Sequence, residues 1–309
     1  MAVQYVRLTQ EVVYNAVPAL PAAGTQIDLF LPESNAMSIR PEAKFWEVRD
    51  SGVGNRLVRR NVGRTSVGGA ISTYLFPSQT AYLLNLATNL GTAAPCYNLP
   101  SFTVDHLIYS DVAGCATTYR RYTGCKINKL ALAADMSDNG CLWSAKLDII
   151  GSTPRVITST DFPAPPLSAY PTDDPYLFYQ AAGYLSIGTT RTNFQSLSID
   201  IDNVVKPFVD ENIYVSSVDW FGRTIGLAAK LRYKGNADRA TYEAGTKQAV
   251  SLELNNGTHT VIFGFGGQVI FDSVDDDIPL DGQMTQAIHL TSMMDSTLAT
   301  PTDLTITTT

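Results

Sequence analysis

Three histidines, four cysteines and a few short acidic, basic and glycine-rich runs are where this chain could do chemistry. His106, His259 and His289 stand far apart, with no HxH, HxxxH or HExxH spacing that would bring two imidazoles onto one metal. Cys96, Cys115, Cys125 and Cys141 form no CxxC pair, and no local signature makes one of them a nucleophile with a nearby histidine. Asp200-Ile201-Asp202-Asn203 resembles the opening of a calcium loop but lacks the glycine required at the sixth position. The alternating apolar residues make it the polar side of a strand. Asp275, Asp276 and Asp277 read as a solvated acidic turn. Gly264-Phe265-Gly266-Gly267 has no Lys-Ser/Thr after it, so it is no phosphate cradle. No catalytic residue, cofactor or metal site is expected.

Composition narrows the class. The chain has 309 residues, 45% hydrophobic and only 17% charged, where a soluble enzyme carries nearer a quarter of its residues charged. Such a shortfall fits a surface largely covered by other protein. The net charge of −7 is unevenly placed: after Lys247 come eight acids and no Lys or Arg. Arg56, Arg59, Arg60 and Arg64 stand in a stretch with no acid between Asp50 and Asp105. An acidic protein does not hold nucleic acid by neutralising phosphates, though DNA can pass it without adhering. The opening MAVQYVRLTQ has no apolar core segment, so reduced thiols in a cytoplasm are expected. No run approaches eighteen apolar residues, and no membrane-spanning helix is expected.

The elements that must position these residues are mostly strands. One stretch reads as a helix: Ser78 as its cap, then Tyr82, Leu83, Leu86 and Leu90, with Gly91 as its stop. Elsewhere the period is two. Residues 126–134 and 141–150 form a hairpin through Asn139-Gly140, and 250–254 and 258–265 form another through Asn256-Gly257. In 196–202, Leu197, Ile199 and Ile201 alternate with Ser196, Ser198, Asp200 and Asp202. Six prolines in 152–175 and four in 18–41 mark two extended arms. The end, ATPTDLTITTT, is expected as a loose tail or a late strand. Two hairpins separated by an arm hint at a doubled β-sandwich, without a residue-level repeat to establish it.

The order of these motifs resembles that of bacteriophage tail tube proteins. The stretch RTSVGGAISTYLFP (64–77) with a helix ending LATNLG (86–91) looks like the family's strand-to-helix entry. YTGCKINKLALAAD (122–135) and GCLWSAKLDIIGS (140–152) are similar to its central hairpin, and SLSIDIDN (196–203) and FGRTIGLAAKLRY (221–233) to the strands that follow. The resemblance covers roughly 64–270. It implies a mainly β fold, a β-sandwich or rolled barrel with one flanking α-helix and extended arms, assembling into a ring-stacked tube. Homohexameric rings would stack into a hollow virion tail tube, assembled in the bacterial host cytoplasm, through which DNA is delivered. Partners would be further copies of the chain and the tape measure, tail terminator and baseplate proteins, with a sheath as an additional candidate and no membrane. The alternatives are a baseplate hub ring or head-tail connector, and, from another class, a carbohydrate-binding β-protein using its 15 Tyr and three Trp.

On this basis residues 1–63 are expected as an N-terminal arm and projecting hairpin and 64–309 as the tube domain, the alternative being a single domain overall with the proline-rich arm 152–175. Ser196, Ser198, Asp200 and Asp202 are candidates to face the channel. Arg56, Arg59, Arg60 and Arg64 on the hairpin, meeting Asp275, Asp276 and Asp277, are candidates for a contact between rings.

Overall fold

The fold follows a computed structural model that describes residues 2–16, 26–29, 31, 37–50, 56–89, 99–110, 117–136, 141–158, 173–176, 185–191, 194–265, 269–277, 284–293 and 303–308. Period-two alternation becomes strands throughout. The first half runs β1 (Ala2–Gln10), β2 (Gln26–Leu29), β3 (Arg40–Asp50), β4 (Arg56–Tyr74), α1 (Pro77–Thr88), β5 (Phe102–Ser110), β6 (Thr118–Asp135), β7 (Ser144–Gly151) and β8 (Thr153–Val156). The second runs β9 (Leu185–Ile187), β10 (Thr189–Arg191), β11 (Phe194–Phe208), β12 (Ser217–Arg232), α2 (Ala237–Glu243), β13 (Val250–Asn255), β14 (Thr260–Gly264), β15 (Val269–Asp277), β16 (Thr285–Ser292) and β17 (Thr305–Thr308).

One topology is used twice. A long antiparallel sheet has the order β3-β4-β7-β6-β11-β12-β16-β15, in which the first four strands and the last four repeat one pattern. Each half adds a smaller sheet: β2-β1-β5-β6-β8 in the first and β10-β9-β13-β14-β17 in the second. The halves share their irregularities too. The β3–β4 pairing slips between Ala43 and Phe45, and the β11–β12 pairing slips between Asn203 and Val205. Likewise β6 bulges against β7 between Ile127 and Lys129, and β15 against β16 between Phe271 and Ser273. The sequence trace is short, Val67-Gly68-Gly69-Ala70 beside Ile225-Gly226-Leu227-Ala228. The doubled sandwich is therefore real, and pairing register reveals it.

In the first half β6 serves both sheets. Residues 118–125 pair with β5, and 126–133 with β7. The strand turns the corner at Gly124, whose φ of +64° suits glycine. The buried Glu11 carboxylate fixes this corner, accepting bonds from Gly124 N at 2.8 Å, Thr103 Oγ1 at 2.9 Å and Asn15 N at 2.8 Å. A buried carboxylate is tolerated when its oxygens are met in this way. On the facing strand Ser152 joins β7 to β8, its N–H reaching Thr123 O at 3.1 Å and its hydroxyl donating to Val215 O.

The core lies between the long sheet and the elements packed on its inner side. Ile71, Leu83, Leu130, Leu147, Ile199 and Ile288 are all fully buried there. Shortening one such leucine to alanine costs about 2–5 kcal/mol.

Several local expectations need correction. Helix α1 does form, but Phe76 is its N-cap residue and Pro77 opens the helix. Ser78 N and Oγ instead donate to the Asp173 carboxylate, at 2.8 and 2.9 Å. The helix stops at Asn89, left-handed with φ of 55°. A second, short helix, α2, joins the one expected. β1 is an interior strand whose Val6 and Leu8 are fully buried, and the boundary placed after residue 63 falls inside β4. The proline-rich stretch 152–175 is not an extended arm throughout: Thr153–Val156 is β8, paired with β6, and Asp173 takes the bonds from Ser78. Just after it the buried Tyr176 bridges Leu75 O and Trp143 N, each at 3.0 Å. Residues 159–172, Gly91 and the Asn139-Gly140 turn lie outside the described residues. The C-terminal stretch contributes β17, paired with β14.

An alanine Cβ at Gly124 would come within 2.9 Å of Ser152 Cβ and 3.0 Å of the Tyr14 ring, whereas Gly257 (φ of 92°) has nothing within 4 Å. Gly124→Ala is expected to destabilise the subunit by about 2–4 kcal/mol, combining left-handed strain with overpacking. Gly257→Ala should cost about 1 kcal/mol. Denaturant unfolding of the unassembled subunit measures both.

Candidate functional site

The outward face of the long sheet carries the residues singled out for a channel. Pairing registers set its side chains in rows across the strands. Ala70, Asp148, Lys129, Asp202 and Thr224 make one row, and Ser72, Lys146, Ala131, Asp200, Gly226 and Thr291 the next. Tyr74, Ser144, Ala133, Ser198, Ala228 and His289 form a third, and Asp135, Ser196, Lys230, Ala287 and Asp275 a fourth. Ser196, Ser198, Asp200 and Asp202 thus lie together on one side of β11, opposite buried Leu197, Ile199 and Ile201. Most of the other positions are Ala, Ser, Gly or Thr. A trough of about 350 Å³ lies toward one end, lined by Tyr74, Leu142, Ser144, Ser198, Lys230 and His289 among others.

The charge of this face is more balanced than β11 alone implies. Lys129 Nζ lies 3.2 Å from Asp200 and 3.5 Å from Asp202. Burial works against the Lys129 ammonium, but the two carboxylates outweigh it and raise its pKa. Counting the rows, Asp135, Asp148, Asp200, Asp202 and Asp275 stand against Lys129, Lys146 and Lys230, five acids to three bases. Lys129 was legible as an outward residue of its own strand. Which strand would lie beside it was not.

The candidate contact residues occupy two different places. β3 and β4 form a hairpin, and before Thr65 the strand β4 pairs with β3 alone among the described strands. Arg59, Arg60 and Arg64 are exposed on it; the Arg56 side chain lies outside the described residues. Arg60 stacks 4.1 Å over the Phe45 ring and reaches Glu47 at 3.6 Å. Near the hairpin's base Thr65 N donates to Ile213 O at 2.9 Å. That end also exposes Val204, Phe208, Ile213, Tyr214 and Phe221, apolar side chains absent from the rows above. Asp275, Asp276 and Asp277 are not in a turn: they belong to β15, opposite Ala287, Gln286 and Thr285. Asp276 already binds Arg239 at 2.6 Å and Gln286 at 2.8 Å. Only Asp275 and Asp277 are exposed.

The residues that could do chemistry stay apart. Among the described residues, no three His, Cys, Asp or Glu are grouped to hold a metal. Asp200 and Asp202 lie within a strand, which removes the calcium-loop geometry. Cys125 is fully buried and its thiol pKa is pushed well up by that burial, the reverse of a reactive thiolate. Trp143 is buried and Trp220 packs against Val205 and Val218, so neither offers the open ring a sugar would stack on.

A family model for phage tail tube proteins matches residues 2–303. The chain belongs to the phage tail tube protein family. No curated protein sequence matches it significantly. Membership makes the chain a structural component of the virion tail that self-assembles into a tube together with other tail proteins. The match reaches well beyond 64–270 and takes in both halves of the fold. The segments that carried the resemblance are β4 running into α1, then β6, β7, β11 and β12, the strands all on the long sheet.

His106 is the buried histidine that the sequence did not mark. It is 6% exposed, and neither ring nitrogen has a hydrogen-bond partner among the described residues. Burial, helped by Arg120, lowers its pKa to about 4. Between that value and the ordinary 6.5 the unfolded chain holds a proton that the folded chain refuses. The stability is therefore present above pH ~6.5 and is lost as pH falls toward 4, by up to about 3 kcal/mol. His106→Gln should flatten this part of the profile in the difference between the two proteins' unfolding curves.

Proposed function

We propose that the chain forms the wall of a hollow tail tube through which DNA passes into the host, and that the outward face of the long sheet lines the channel. One observation carries this reading: a broad face on which Ala, Ser, Gly, Thr and Asp predominate over three lysines, Tyr74 and His289, with a continuous apolar core behind it. An ordinary solvated sheet face carries long Lys, Glu and Arg side chains. A channel face needs short ones, a mild acidic excess and no cationic run on which phosphate could rest. The Lys129 bridge moderates repulsion between Asp200 and Asp202 while leaving the face net acidic.

The family resemblance implies homohexameric rings; because this chain carries two β-units, we count those six positions as β-units, two to a chain, and the rings stack along the direction of the projecting hairpin. The arginines of that hairpin and the apolar side chains at its base meet the next ring. Apolar burial supplies most of the affinity there, and the guanidinium groups set register, since exposed ion pairs contribute only about 0–1 kcal/mol each. The hairpin is then a projecting part of the tube domain. The tape measure, terminator and baseplate proteins meet the tube within its lumen and at its ends, and assembly takes place in the host cytoplasm.

Negative-stain microscopy of the purified protein should show tubes of uniform width. Discrete particles or isolated single rings would contradict the reading. Asp200→Lys with Asp202→Lys places three ammonium groups within one bridge. Tubes should still form, DNA ejection should slow, and DNA should adhere to the tubes at low salt and leave them at high salt. Arg59→Glu with Arg60→Glu should stop growth at rings, and normal elongation by that variant at low salt would refute the role of the hairpin.

A further inference from the structure

We propose that neighbouring copies of this chain join edge to edge, β15 of one against β3 of the next, in the register that β6 and β11 already adopt inside each chain. The proposal rests on the tube reading above. Its template is the internal seam, where the last strand of the first unit meets the first strand of the second.

The duplication leaves the same two strands open at the sheet's ends. Among the described strands, β3 pairs only with β4 and β15 only with β16; at the start of β15 Val269 also bridges Gln248, leaving Ser273–Asp277 as its open edge. Open edges present unpaired N–H and C=O groups, which a like strand can satisfy. Shared registers fix which residues correspond. Arg40 faces Gly68 as Asp200 faces Gly226, so Arg40 takes the place of Asp200 and Glu42 that of Asp202. Counted from the common bulge, Ser273 takes the place of Lys129 and Asp275 that of Ala131. Inside the chain Lys129 faces Asp202 and Ala131 faces Asp200. Carried to the seam between chains, Ser273 faces Glu42 and Asp275 faces Arg40.

That last pair is the independent sign. Nothing in the duplication requires opposite charges at those two positions, yet an exposed aspartate and an exposed arginine stand directly across from each other. The contact uses the acidic residue laterally, within a ring. Pro41, opposite Val274, has no N–H to give, so the seam has one donor fewer than its template and the free edge of β3 is less prone to random pairing. Each chain brings two units, so the ring holds an even number of them. A ring of six units closes with three chains.

Arg40→Asp and Asp275→Arg should each abolish ring formation with the unfolding midpoint of the subunit unchanged, and the double exchange should restore it. Glu42→Cys combined with Ser273→Cys should, on oxidation of the assembled protein, give a covalent ladder ending at three chains, while each single cysteine gives none. If the parent forms no tubes, the tube reading itself fails. If the parent forms tubes but the single exchanges assemble equally well, or the double exchange is not rescued, the seam is wrong. A ladder that runs on to six chains overturns the three-chain ring.

Discussion

The structure depends on one strand being able to belong to two sheets. β6 can do so because Gly124 takes a left-handed backbone where a side chain would collide with Ser152 and Tyr14. Glu11 then holds the bend with a buried carboxylate bound to the glycine's own N–H. With the corner fixed, β5 and β8 lie on one side of the bend and β7 and β11 on the other, and the apolar faces of both sheets close over α1. The second half reaches the same layout with a break between β14 and β15 in place of a bend. Two solutions to one topological need, in one chain, show that the layout matters more than the local device.

An extended sheet buried on one face has two further problems, its other face and its edges. In a monomer the outward face would be solvated by long charged side chains and the edges blunted. This chain does neither fully. Its face is mostly Ala, Ser, Gly, Thr and Asp with three lysines among them, its edges end in β3 and β15, and its projecting end carries Phe208 and Phe221 in the open. Low overall charge is the compositional trace of that choice. These features are costs for an isolated subunit and assets for one whose edges and ends meet copies of itself.

What was legible in the sequence was whatever is local. Alternation in 196–202 placed the strand and sorted its faces correctly, Asn256-Gly257 marked its hairpin, and the spacing of Leu83 and Leu86 found the helix. What failed was set by distant chain. Ser78 looked like a cap until Asp173, 95 residues on, supplied the carboxylate. Three successive aspartates looked like a turn because like charges rarely share a strand. Alternation points Asp275 and Asp277 outward, and Arg239 takes up Asp276. Lys129 could not be paired with Asp200 and Asp202 before β6 was known to lie beside β11. The duplication left little more than a Gly-x-Ala trace in sequence, because the two units must keep pairing registers and core volume but few particular side chains.

The central claim is that the small-residue face of the long sheet looks into the channel of a tube. A cryo-electron microscopy reconstruction of the assembled protein tests it most directly. The account predicts a continuous β-wall in which Asp200, Asp202 and Lys129 point toward the tube axis, with α1 and α2 behind the wall. A map in which these three side chains lie on the outer surface, or in which the small sheets line the lumen, would contradict it.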